Sequence, residues 1–170
     1  MSIINPTDQN LHQLAAQVGV TLRARNQMLT VAESCTGGWI GKVITDVAGS
    51  SGWFDRGFVT YSNTAKTELL GVRQSTLANH SAVSTETVTE MAIGALERSR
   101  AGIAIAVSGI AGPDGGSPGK PAGTVYLAWA LCDRPIQTQV CHFTGDRETV
   151  RRQTVATALQ GVLDAFAQES

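Results

Sequence analysis

The sequence predicts an α/β fold with a mixed, mostly parallel sheet covered by helices on both faces. Three observations lead there. Segments with a helical period of 3.6 alternate with short apolar runs along the 170-residue chain. The apolar runs are near-continuous, as strands buried on both faces require. The last two runs are joined by Cys132-Asp133-Arg134-Pro135, a turn short enough for a hairpin, so at least one strand runs against the others.

The elements follow in order. Leu11, Leu14, Ala15, Val18 and Leu22 share one helical face, with Thr7 or Asp8 as the cap. Residues 28–32 read as a buried strand. Trp39, Ile40, Val43, Ile44 and Val47 predict a helix directly after it, broken by Gly49-Ser50-Ser51-Gly52. A second strand is expected at 57–61, then a short helix capped by Asn63 and ending at Gly71. Ser84 opens a longer helix that buries Val88, Met91, Ala92, Ala95 and Leu96. Residues 103–107 form a continuous apolar strand, followed by a glycine-rich loop at 109–119. Strands at 124–131 and 136–143 make the hairpin. A last helix starts near Arg147 and buries Val150, Thr154, Val155, Ala158, Leu159, Val162 and Phe166. With no internal repeat, low-complexity tract or linker, residues 1–170 read as a single domain.

Composition narrows the function classes. Apolar residues make up 42% and charged residues 16%, a globular balance. A formal net charge of −1 gives no reason to expect a nucleic-acid or anionic-membrane partner. No apolar run approaches the roughly 20 residues needed to span a bilayer. The N-terminal stretch Met-Ser-Ile-Ile-Asn-Pro-Thr-Asp-Gln-Asn lacks the basic start and apolar centre of a signal peptide. Cys35, Cys132 and Cys141 are odd in number and have no metal-ligand spacing, and His12, His80 and His142 are scattered. A reduced, cytoplasmic setting without a metal site is expected.

In such sheets ligands bind beyond the carboxyl ends of strands, which selects three stretches. In the first, Ser34-Cys35-Thr36-Gly37-Gly38 lies between a strand and a helix. A hydroxyl there could attack a carbonyl, with backbone N–H groups at the helix start stabilising an oxyanion. The plainer reading is a helix cap. Cys35 is a rival nucleophile, because a helix N-terminus lowers a thiol pKa. In the second stretch, Tyr61-Ser62-Asn63-Thr64-Ala65-Lys66, a buried neutral Lys66 could serve as base and Tyr61 could relay a proton or orient it; otherwise Lys66 is a solvated surface residue. The third stretch contains Ser108, Gly109 and Gly112. It can present backbone N–H groups to a phosphate or oxyanion, but lacks the Walker-type ending, and a simple connector is the alternative. A further signal is Arg147 and Arg151, which share one face of the first turns of the last helix, where positive charge opposes the dipole. Either they hold an anion or Asp146 and Glu148 balance them.

Together these segments carry a resemblance. Ala-Glu-Ser-Cys-Thr-Gly-Gly at 32–38, Tyr-Ser-Asn at 61–63 with Lys66, Ser-Gly-Ile-Ala-Gly-Pro at 108–113, Lys-Pro-Ala-Gly-Thr-Val at 120–125 and Gly-Asp-Arg at 145–147 resemble the CinA carboxy-terminal domain family of nicotinamide mononucleotide deamidases. The resemblance runs from about the first helix to about residue 165, in the stand-alone form without the N-terminal domain that many members carry. It implies a three-layer α/β/α sandwich, commonly a homo-oligomer, that needs no cofactor. It also implies hydrolysis of nicotinamide mononucleotide to nicotinic acid mononucleotide and ammonia in pyridine-nucleotide recycling. Ser34 would be the nucleophile, assisted by Lys66 and Tyr61. Thr36, Gly37, Gly38, Ser108, Gly109, Gly112 and Arg147 would bind the substrate. The competing class is a non-catalytic nucleotide-binding module linked to competence or damage responses.

Overall fold

Five strands order the described part of the chain, residues 5–167 of a computed structural model. The first four residues of the N-terminal stretch read above, and the last three of the chain, lie outside it. The strands are β1 (Leu29–Glu33), β2 (Phe54–Val59), β3 (Ile103–Gly109), β4 (Thr124–Leu131) and β5 (Gln137–His142). They form one sheet in the order β2-β1-β3-β4-β5. β1 pairs in parallel with β2 and β3, whereas β4 is antiparallel to both β3 and β5. Four strands therefore point one way and β4 alone opposes them, which is the mixed, mostly parallel sheet expected.

The helices are α1 (Asp8–Ala24), α2 (Trp39–Thr45), α3 (Asn63–Leu70), α4 (Gln74–His80), α5 (Thr85–Glu97) and α6 (Arg147–Ala167). Along the central strands, successive side chains alternate in size as well as in the face they point to. Val31, Ile103, Ile105, Leu127 and Trp129 lie in one core with α1, α2 and α6. Ala32, Ala104, Ala106, Ala128 and Ala130 lie in a second core with α5. Successive strand residues face opposite sides, so a large–small alternation makes one deep face and one shallow face. The shallow face lets α5 approach closely. On that layer α5 also meets the end of α3: a Cβ on Gly94 would sit 1.9 Å from the Leu70 carbonyl oxygen, so only glycine fits there. These three layers are the sandwich that the resemblance implied.

Local chemistry explains the boundaries. Thr7 caps α1, accepting from the Asn10 N–H while the Asn10 side chain accepts from the Thr7 N–H. β2 lies three residues earlier in its start than the expected 57–61, because its register against β1 begins at Phe54 opposite Leu29. Beyond Val59 only the Thr60 N–H continues the ladder, to the Glu33 carbonyl. The cap of α3 is Ser62 rather than Asn63: its side chain accepts from the Ala65 N–H. α4 had no counterpart in the sequence reading. It carries few apolar residues and is fixed from outside by Glu90, which accepts from the Arg73 backbone and side chain and from the Thr76 hydroxyl. Among the described residues no helix is long and apolar enough to cross a membrane.

Candidate active site

The carboxyl ends of β1 and β2 bring Ser34 and Lys66 together. Ser34 follows β1 directly, and its N–H extends the ladder to the Val107 carbonyl at 3.1 Å. Lys66 lies in the first turn of α3, which folds back beneath the end of β2. Its Nζ donates to Ser34 Oγ at 2.9 Å, to the Thr60 carbonyl at 2.8 Å and to the Tyr61 carbonyl at 3.3 Å. Lys66 is 1% exposed and Ser34 7% exposed. The solvated surface lysine of the plainer reading is therefore not what the fold makes. Burial without a carboxylate partner pushes the Lys66 pKa down to about 8.

The arrangement of acceptors has a chemical consequence. As an ammonium, Lys66 has three N–H bonds and three partners. As a neutral amine it keeps two N–H bonds for the two carbonyls, and its lone pair is left facing the Ser34 hydroxyl. The site thus offers a base already aimed at its proton donor.

The turn after Ser34 is set by a residue absent from the expected site. Glu33 is 1% exposed. Its carboxylate accepts from Thr36 Oγ1 at 2.6 Å and from the N–H groups of Ile40 and Gly41 at 2.9 and 3.0 Å. It occupies the N-terminus of α2, whose cap residue Gly38 has φ +101° and offers no side chain. The helix N-terminus itself is therefore closed to a ligand. The backbone N–H groups of Thr36 and Gly38, by contrast, have no protein partner among the described residues. An acidic residue just before a Ser-X-Thr-Gly-Gly turn was the available signal for this cap. It is hard to read because the carboxylate reaches seven and eight residues ahead.

Cys35 is buried, and desolvation pushes its thiol up to about 12. It stays protonated at neutral pH, which removes the thiolate that a rival nucleophile needs.

The expected binding residues divide into two groups. Thr36, Gly37, Gly38 and Arg147 line an open cleft of about 640 Å³, together with Trp39, Lys42, Glu148 and Arg151. Arg147 donates to the Gly112 carbonyl at 2.8 Å and to the Tyr61 hydroxyl at 3.3 Å, tying the third loop to the site. The Tyr61 ring is largely exposed, and this residue meets Lys66 through its carbonyl and Arg147 through its hydroxyl. Ser108 and Gly109 stand apart. The Ser108 hydroxyl is committed to the Ala82 carbonyl at 2.7 Å. Gly109 lies against β4, where a Cβ would come within 2.6 Å of Val125.

Neither acidic neighbour balances the two arginines. Asp146 accepts from the Thr149 N–H and so caps α6. Glu148 pairs with Arg152 at 3.0 Å. Among the described residues Arg147 and Arg151 have no carboxylate partner, leaving the cleft cationic. No group of three or more His, Cys, Asp or Glu among the described residues is placed to hold a metal ion.

Comparison with known proteins identifies the family. The chain belongs to the CinA C-terminal domain family, whose sequence model matches residues 11–166. One relative is the nicotinamide-nucleotide amidohydrolase PncC of Escherichia coli K12, 57% identical over 164 residues, covering 96% of this chain and 99% of that protein. A protein of the same name from Pseudomonas putida is 54% identical over 150 residues, covering 88% and 93%. Among solved structures, a CinA superfamily protein from Klebsiella pneumoniae 700603 superposes with a TM-score of 0.90 at 46% identity, covering 94% of this chain and 99% of that one. The competence/damage inducible protein CihA from Agrobacterium tumefaciens gives 0.89 at 44% identity, covering 96% and 98%.

Proposed function

We propose that this protein hydrolyses the carboxamide of nicotinamide mononucleotide, giving nicotinic acid mononucleotide and ammonia, with Ser34 as nucleophile and Lys66 as base. The observation that carries the reading is the 2.9 Å contact between the two side chains, with Lys66 otherwise bonded only to carbonyls. The substrate class is supported by the relatives named for nicotinamide-nucleotide amidohydrolysis and by a cationic cleft suited to a phosphate.

The geometry supports the following steps. Neutral Lys66 takes the Ser34 proton as Oγ bonds to the carboxamide carbon, and the carbonyl electron pair moves onto oxygen. Backbone N–H groups of the 34–38 turn stabilise that oxyanion. As the tetrahedral intermediate collapses the C–N bond breaks, and the Lys66 ammonium returns its proton to the departing nitrogen, which leaves as ammonia. Water then adds to the ester carbon while Lys66 accepts its proton. The Oγ–C bond breaks, Oγ regains the proton, and nicotinic acid mononucleotide departs. Arg147 and the Tyr61 ring flank the substrate, and Arg147 faces the phosphate or the charge that develops.

Incubation with nicotinamide mononucleotide tests the reading by comparing ammonia yield with thermal stabilisation. The expected result is catalytic ammonia release from the mononucleotide and far less from nicotinamide, which has no phosphate to engage the cleft. Stabilisation with no ammonia would overturn the enzyme reading in favour of a nucleotide-binding module.

A further inference from the structure

Arg151 stands one turn into α6, and its guanidinium reaches two neighbouring carbonyls of the nucleophile turn. Nε donates to the Cys35 carbonyl at 3.0 Å and Nη2 to the Thr36 carbonyl at 3.1 Å. Its carbon Cζ lies 5.3 Å from the centre of the Trp39 ring, so the planar fork is also held on its face. No other side chain among the described residues bonds to these two carbonyls.

The peptide geometry gives this contact a consequence. In a trans planar peptide the C=O and the following N–H point in opposite directions. Holding the Cys35 carbonyl toward α6 therefore turns the Thr36 N–H away from α6. That N–H has no protein partner among the described residues. The rest of Thr36 is fixed from the other side by the bond from its hydroxyl to Glu33. The turn also has two backbone bonds of its own, from the Gly37 N–H to the Ser34 carbonyl and from the Trp39 N–H to the Thr36 carbonyl, each 3.1 Å, but neither holds the Cys35 carbonyl.

We infer that Arg151 is a positioning residue for the reaction proposed above: by clamping the Cys35 and Thr36 carbonyls it holds the Thr36 N–H ready to donate to the oxyanion formed at the Ser34-bound carbon. This assigns the two α6 arginines different tasks. Arg147 braces the 112 loop and Tyr61 around the substrate, while Arg151 acts on the protein's own backbone. The inference rests on the functional reading, and its principal rival is that Arg151 is a ligand of the substrate phosphate.

Steady-state kinetics of Arg151→Met and Arg151→Lys separate these possibilities. Methionine keeps a long stem against Trp39 but donates no hydrogen bond. Lysine keeps the charge but lacks the fork, and it supplies a second folded variant should the first prove unstable. The measurements are kcat and KM for nicotinamide mononucleotide and the inhibition constant of inorganic phosphate, which reads the anion site without any oxyanion. The expected result for Arg151→Met is a kcat lowered by about 100-fold or more, the scale of one lost oxyanion donor. KM and the phosphate inhibition constant should stay within about threefold, and Arg151→Lys should recover only part of kcat. A rise of about tenfold or more in KM and in the phosphate constant, with kcat retained, would overturn the inference and make Arg151 a phosphate ligand. Wild-type kinetics in both variants would also overturn it. A wild-type protein that releases no ammonia defeats the functional reading and this inference together. An active wild type with an unaffected Arg151→Met defeats the inference alone.

Discussion

At the residue scale, the behaviour of Lys66 controls what can be measured. Its pKa lies near 8 because its ammonium is buried against carbonyls and a hydroxyl. About one-tenth of the protein then holds the neutral amine at pH 7, and about nine-tenths at pH 9. The rate of ammonia release should rise with pH through about 8 and level off above it, read as the pH profile of kcat/KM. The same shift acts on stability. The folded pKa lies below the unfolded value near 10.5, so between about pH 8 and 10.5 the unfolded chain binds the extra proton. Wild-type stability relative to Lys66→Met should therefore increase with pH across that window and be flat on either side, by denaturant unfolding at several pH values. Cys35→Ala, in contrast, should keep activity within about threefold, because the buried thiol it removes is protonated. The residues proposed for the chemistry were legible as types and positions: a serine and a lysine, each C-terminal to a strand. Their contact was not, because 32 positions separate them and only the pairing of β1 with β2 closes the gap. Glu33 was missed for a similar reason. Its partners lie in the next helix, and a strand-end glutamate carries no mark of that.

At the scale of elements, the glycines that look like helix defects are contact points. Gly161 sits inside α6, and a Cβ there would fall 2.1 Å from the Trp129 ring, whose Nε1 donates to the Ala158 carbonyl. On an exposed helix Gly→Ala gains up to about 1 kcal/mol. Here overpacking reverses the sign, and Gly161→Ala should cost about 1–3 kcal/mol by denaturant unfolding. Glu33→Gln tests the cap of α2. Its carboxylate accepts three hydrogen bonds, and an amide group must turn an N–H toward the Gly41 or Ile40 N–H. A loss of about 1–3 kcal/mol is expected from the same measurement. Most elements were legible because long amphipathic or wholly apolar segments dominate them. α5 and α6 follow their helical stripes, and β3 and β4 are nearly all apolar. β2 was placed late because it is a half-exposed edge strand with a mixed pattern. α4 was absent from the reading because Glu90, on another helix, supplies the bonds that hold it.

At the scale of the whole molecule, the sheet places three strand ends at one side. β1 brings Ser34, β2 brings Thr60 and Tyr61 with Lys66 behind them, and β3 leads to the Gly112 loop that Arg147 grips. α6, from the far end of the sequence, supplies one wall of the cleft through Arg147, Glu148 and Arg151. On the proposed reading, binding and chemistry are carried by different residues. Nicotinic acid mononucleotide should raise the melting temperature of Ser34→Ala as much as that of the wild type, and Arg147→Ala should lose most of that rise. The strand-end rule found all three stretches from the sequence alone. It did not show that the Ser108 hydroxyl turns into the fold, since a serine committed to a carbonyl and one facing a ligand look alike in sequence. The dyad is tested most directly by the initial rate of ammonia release from nicotinamide mononucleotide at pH 9, with the wild type compared with Ser34→Ala and Lys66→Ala. A loss of at least about a thousandfold in each variant is predicted, with product-induced stabilisation retained in Ser34→Ala. Near wild-type release by either variant would contradict the assignment of Ser34 as nucleophile and Lys66 as its base.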